Sequence, residues 1–126
     1  MIINEQTNEK EIIQYAINNI QQGGPINLKW KEHHNDSPND GELLLYLNQH
    51  NFELHAAIKK ELRSLNLAKV EELAVSQNPF IIVAQHIFTK IKEELRKKNI
   101  AYLEANGNIF LKEKVIKEKY YRYTFL

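Results

Sequence analysis

Asp40 and Lys59 are the two residues whose types and spacing carry chemistry in this chain. Asp40 stands at the mouth of the run GELLLYLN, which reads as a strand. Lys59 closes the run FELHAAIK, which reads as the next strand. If the two pair antiparallel through the turn tetrad Asn48, Gln49, His50 and Asn51, the start of the first meets the end of the second at one sheet edge. A carboxylate held there can ligate a divalent cation such as Mg2+. A lysine beside it can orient, or help deprotonate, a water that attacks a phosphodiester. Taken singly the two residues have blander readings. Asp40 lies in an Asn-Asp-Gly turn, where its side chain would cap backbone groups, and Lys59 is a solvated edge lysine or an ion-pair partner of Glu61 or Asp40.

The elements that must position this pair follow from periodicity. Ile12, Ile13, Ala16, Ile17 and Ile20 recur at helical spacing, Thr7 can cap the start, and Gly23, Gly24 and Pro25 stop the helix. Ile26, Leu28 and Trp30 alternate with Asn27, Lys29 and Lys31 as in a strand, and His33 to Asn39 is turn chemistry. The GELLLYLN strand is apolar on both faces. In the third strand Phe52, Leu54, Ala56 and Ile58 form the core face, opposite Glu53, His55, Ala57 and Lys59. A helix is predicted from about Leu65 to Val75 with Leu65, Ala68, Val70 and Leu73 inward. FIIVA, from Phe80 to Ala84, reads as a central strand covered on both sides. Thr89 can cap a helix that runs to Asn99 with Ile91 and Leu95 inward and with Lys90, Lys92, Arg96, Lys97 and Lys98 on a solvated face. IAYLEANGNIFLKE reads as strand, turn, strand, with Gly107 supplying positive φ, and the tail VIKEKYYRYTFL is β-prone. The order α-β-β-β-α-β-α-β-β predicts an α/β domain built on a mixed sheet with flanking helices.

Composition excludes several classes. The chain has 126 residues, enough for one domain, and no cysteine, so disulfides, zinc-thiolate sites and cysteine nucleophiles are ruled out. A mean hydropathy of -0.52 without a long apolar run predicts no membrane partner, and a cytoplasmic location is the expectation. The net charge of +1 is a cancellation: residues 1–89 sum to -4 and residues 90–126 to +5. A basic C-terminal part keeps a phosphate-bearing partner such as DNA in play, through Lys97, Lys98, Lys117, Lys119 and Arg122. The last three interleave with Tyr120, Tyr121 and Tyr123, which could stack on bases, although packing of these aromatics against the core is the expected role. His33 and His34 adjoin Asp36 but, as neighbours in a polar turn, read as solvated rather than as metal ligands. There is no phosphate loop, nucleophile elbow or dinucleotide glycine pattern.

In this order of elements the chain resembles the PD-(D/E)XK, or restriction-endonuclease-like, superfamily, whose core is a helix, a three-strand meander, a helix and a further strand. Asn39-Asp40 resembles the Pro-Asp of that family and Ala57-Ile58-Lys59 its (D/E)-X-K. The stretch from Asn78 to Phe110, with Ile100, Tyr102, Leu103, Glu104, Ala105, Gly107 and Asn108, is similar to a segment of AbiE-type antitoxins and related restriction-like regulators. The resemblance implies a nuclease fold with Asp40 and Lys59 in catalytic positions and Asp40 as a metal ligand. It also implies that Ala57 stands where the second metal-binding acid belongs, and a methyl group cannot coordinate a cation. Glu42 and Glu61 are the candidates for a relocated acid. Three functions are therefore expected in competition. The first is a catalytically degenerate domain with a regulatory or DNA-associated role, the second a Mg2+-dependent DNA endonuclease, and the third a module that binds a protein partner or a second copy of itself. The family often joins this domain to a winged-helix DNA reader, so the chain is expected to be one module of a longer protein.

Overall fold

A computed structural model describes residues 8–32, 39–47, 49–111 and 123–124. The elements are α1 (Glu9–Gly23), β1 (Ile26–Glu32), β2 (Gly41–Leu47), β3 (His50–Leu62), α2 (Leu67–Ser76), β4 (Phe80–Ile87), α3 (Thr89–Lys97), β5 (Ala101–Glu104), β6 (Ile109–Leu111) and β7 (Tyr123–Thr124). All seven strands lie side by side in sequence order. β1, β2 and β3 form an antiparallel meander, β4 and β5 continue parallel to β3, and β6 and β7 return antiparallel. The predicted α/β class, mixed sheet and element order hold, with β7 formed inside the β-prone tail.

Two apolar layers sandwich the sheet. On one side Ile12, Ile13, Ala16, Ile17 and Ile20 of α1 pack on Leu28, Leu43, Leu45, Leu54, Ile81, Val83 and Leu103. On the other, Val70 and Leu73 of α2 and Ile91 and Leu95 of α3 pack on Ala57, Ile82, Ala84, Tyr102 and Phe110. β4 therefore alternates between two buried faces, which is why FIIVA carries no polar residue. The connections explain why α2 and α3 share a face. β3 to β4 and β4 to β5 are parallel neighbours, so each needs a helix to return the chain. Successive crossovers of one hand keep both helices on the same side, while α1, which precedes the meander, covers the other.

Several local expectations change. Asn8, not Thr7, caps α1: its Oδ1 accepts the Glu11 N–H at 2.9 Å and its own N–H donates to Glu11 Oε1. Thr7 lies outside the described residues. The cap position of α3 is Phe88, which has no side-chain capping bond, and Thr89 is already helical. Leu65 is 80% exposed because a 3₁₀ turn over Ser64–Asn66 precedes α2 and shifts its inward face to Val70 and Leu73. Ala68 is exposed as well. The outer face of β2 is only half covered, with Leu44 and Tyr46 partly exposed and the Lys29 ammonium 5.8 Å from the Tyr46 ring centroid.

β3 is longer than the run FELHAAIK, and near its end it departs from simple alternation. Leu62 joins the same layer as Ala57, and Ile87 the same layer as Ala84, although each pair differs by an odd number of residues. Both strands change face together, which keeps Leu62 paired with Ile87 and leaves Lys59, Lys60, Glu61 and His86 in solvent.

Candidate functional site

The carboxyl end of the sheet gathers the chemistry. Gly41 pairs with Ala56, and the Asp40 N–H donates to the Ala56 carbonyl at 2.9 Å. The next rung is made by a side chain: Asp40 Oδ2 accepts the Ile58 N–H at 2.8 Å. Asp40 thus does cap backbone, across the sheet rather than within its own turn, and one carboxylate oxygen stays unengaged by that bond. The turn is fixed from behind by buried Asn39, whose Nδ2 donates to Gln77 Oε1 at 3.3 Å. Gly41 is required by close approach. A Cβ there would lie 2.5 Å from the Trp30 ring and from the Lys31 carbonyl oxygen.

Trp30, Asp40 and Ile58 line a pocket of about 220 Å³ together with Glu9, Lys10 and Glu32. Glu9 is the acid that sequence reasoning missed. It sits in the first turn of α1, where it reads as one more polar residue on the outer face, and only the packing of α1 on the sheet brings it over Asp40. Its carboxyl is raised above the ordinary value of 4.5 by partial withdrawal from water and by the negative charge of Asp40, with the positive charge of Lys59 opposing. Glu9, Asp40 and Lys59 therefore share one electrostatic neighbourhood.

The other candidate acids are engaged elsewhere. Glu42 lies 3.9 Å from Lys31 Nζ and 3.7 Å from His55 Nδ1, and Glu61 pairs with Arg63 at 3.1 Å. Ala57 is 4% exposed inside the layer covered by α2 and α3. Among the described residues no three carboxylates or imidazoles converge into a ready metal cage. Two carboxylates suit Mg2+, which commonly takes one or two protein carboxylates and completes its shell with water and substrate phosphate.

Glu9 gives a test by pH. Its raised carboxyl means that the unfolded chain ionises first as pH rises, so folding is penalised above 4.5 and not below it. The Glu9→Gln protein should gain stability relative to the native protein between acid and neutral pH, by under about 1 kcal/mol because solvent screens an exposed first-turn residue. Loss of the favourable helix-end charge offsets part of that gain wherever Glu9 is ionised. Denaturant melts at both pH values check it, and a difference independent of pH excludes repulsion from Asp40.

A second polar cluster lies at the ends of β4 and β5. Glu104 is 1% exposed, and its Oε2 accepts the Ile87 N–H at 2.7 Å. Its Oε1 accepts from Asn108 Nδ2 at 3.1 Å and pairs with Lys92, while His86 Nδ1 lies 3.7 Å from Oε2. Lys92 is thus a buried-pair lysine, contrary to its expected place on a solvated face. The Glu104 to Asn108 turn is closed by Gly107 at φ +94, pressed against Asn19 of α1, whose Nδ2 donates to the Ala105 carbonyl. The Leu-Glu-Ala-x-Gly-Asn segment therefore clamps strand ends to α1 and α3.

Of the basic residues along and just after α3, Lys92, Arg96 and Lys98 are engaged within the molecule, whereas Lys90 and Lys97 are exposed. Arg96 donates to the Tyr102 hydroxyl at 2.6 Å, and Lys97 is 4.0 Å from Glu94. Lys98 binds Glu71 at 3.0 Å, a hydrogen bond that raises its pKa. Lys117, Lys119 and Arg122, like His33, His34 and Asp36, lie outside the described residues. No described helix is long and apolar enough to cross a membrane. Set against known proteins, the chain matches no family model, no curated protein and no solved structure.

Proposed function

We propose that this chain is a restriction-endonuclease-like domain with an incomplete catalytic centre and a DNA-associated, regulatory role, as in AbiE-type antitoxins and restriction-like regulators. The observation that carries the reading is the pairing of a retained Asp40 and Lys59 at one sheet end with Ala57 sealed in the opposite layer and Glu42 and Glu61 bound to other partners. A helix, an antiparallel meander, a helix and a parallel fourth strand support the same assignment.

Glu9 favours a second reading, a Mg2+-dependent DNA phosphodiesterase. Glu9 and the remaining oxygen of Asp40 would hold the cation, which would offset charge developing on a phosphodiester, with Lys59 near the attacking water. With only two carboxylates, affinity on the order of millimolar is expected.

One experiment separates the two. Trp30 is the only tryptophan and lines the pocket, so its fluorescence reports cation binding there. Titration with Mg2+ or Mn2+ should give a weak transition that Glu9→Gln shifts at least about tenfold, while plasmid incubated with either cation stays intact. Cleavage that vanishes in both Lys59→Ala and Glu9→Gln would replace the preferred reading with the enzyme.

A further inference from the structure

Phe88 is an exposed aromatic on a locked backbone. It is 41% exposed at the junction of β4 and α3. The residue before it is anchored by the Ile87 N–H bond to Glu104, and its own carbonyl accepts the Ile91 and Lys92 N–H groups at 2.9 and 3.0 Å. Lys92 is in turn paired with Glu104. The exposure is therefore built into the turn and is not the product of a loose segment. Around the ring, the Arg63 guanidinium lies 5.6 Å from its centroid and the His86 ring meets it edge-on at 4.8 Å.

The surroundings are cationic. Lys59, Lys60, Arg63 and Lys90 are all exposed at this end of the sheet; Glu61, the one acid from Lys59 to Arg63, pairs with Arg63 at 3.1 Å, so the surplus positive charge comes from the lysines. β3 and β4 end side by side, with Glu61 opposite His86 and Leu62 opposite Ile87. In open α/β sheets ligands bind outside the carboxyl ends of the strands. An exposed ring flanked by guanidinium and ammonium groups has the chemistry that holds an unpaired base by stacking and its phosphates by charge, since every base has a π-face. From Lys59 to Arg63 the chain covers about 13 Å at strand rise, so the exposed cations extend along this edge from the ring.

We infer that Phe88, with Arg63 and His86 beside it and Lys59 and Lys60 along the same edge, is a stacking platform for single-stranded DNA. The inference rests on the DNA-associated reading above and names the form of DNA that this edge takes.

The test is fluorescence anisotropy of a short labelled single strand and of the same sequence as duplex, each at low and high salt, with the whole chain. The single strand should bind, more weakly as salt rises. Phe88→Ala should weaken it about 5- to 100-fold, the loss of one base–aromatic stack, and Phe88→Tyr should retain it. Arg63→Gln and Lys60→Gln should each reduce the logarithmic salt slope by about 0.7. Thermal melts confirm that the exposed-site variants fold, and Phe88→Tyr serves as the read if Phe88→Ala does not. Duplex binding without single-strand binding overturns this inference and leaves the DNA-associated reading standing. Absence of both overturns both. Single-strand binding indifferent to Phe88→Ala, or lost in a folded Phe88→Tyr, overturns the platform alone.

Discussion

Replacing Ala57 with glutamate is expected to destabilise the fold by about 3 kcal/mol or more and to create no new affinity for Mg2+. The motif read on its own predicts the opposite, because a carboxylate two residues before Lys59 would restore the missing metal ligand. The difference lies in where the methyl group points. Ala57 is 4% exposed beside Ile82 and Ala84 and beneath the layer formed by α2 and α3. A carboxylate there meets apolar side chains, not Asp40, whose Oδ2 is bound to the Ile58 N–H. Urea melts of Ala57→Glu with and without Mg2+ read both parts of the prediction. A variant stabilised by the cation by more than about 1 kcal/mol, the mark of ligand linkage, would show that the carboxylate reaches Asp40 and that a glutamate at this position completes the centre.

The second large effect is on Glu104. Its conversion to alanine should cost about 3–5 kcal/mol, the usual loss when one member of a buried pair is removed. Three groups lose their partner at once. They are the Ile87 N–H, the Lys92 ammonium, whose side chain is only 17% exposed, and the Asn108 amide. Glu104→Gln keeps an acceptor for Ile87 and removes only the charge, so it should lie between alanine and the native residue. Removing both charges with Glu104→Leu and Lys92→Met should recover part of the loss, because a buried ion pair often contributes little beyond an apolar replacement. Circular dichroism during urea unfolding measures the set. A Glu104→Ala protein within about 0.5 kcal/mol of native would mean that water replaces the carboxylate as partner of Ile87, Lys92 and Asn108 at no cost. Because Ile87 precedes Phe88, the same variants should also weaken single-strand binding in proportion to the disorder they introduce at the platform.

Most of the architecture was legible because each element carried its own period. The isoleucines of α1 at helical spacing, the alternation in β1 and the unbroken apolar run of β4 each have one stable burial solution. The candidate site was legible in part. Asp40 and Lys59 fall at one sheet end for any antiparallel pairing of β2 and β3, and the turn between those strands is short enough to force it. Glu9 was not legible, because nothing in the first turn of a helix tells which strand end that turn will cover. Glu104 stood within a recognisable segment, but its burial follows from Lys92 and Ile87 arriving from a helix and a strand that precede it in the chain.

What the chain alone determined was the α/β class, the meander and the charge asymmetry, since these depend on local period and composition. Tertiary structure alone decided which charges act. The change of face at the ends of β3 and β4 sends Lys59, Lys60 and His86 to solvent while Ala57 stays sealed. The packing of α1 sets Glu9 over Asp40, and the turn between β4 and α3 holds Phe88 in water. Each depends on groups distant in sequence meeting in space. The reason is physical: the energy of a charge or an exposed ring is fixed by its surroundings rather than by its neighbours in the chain.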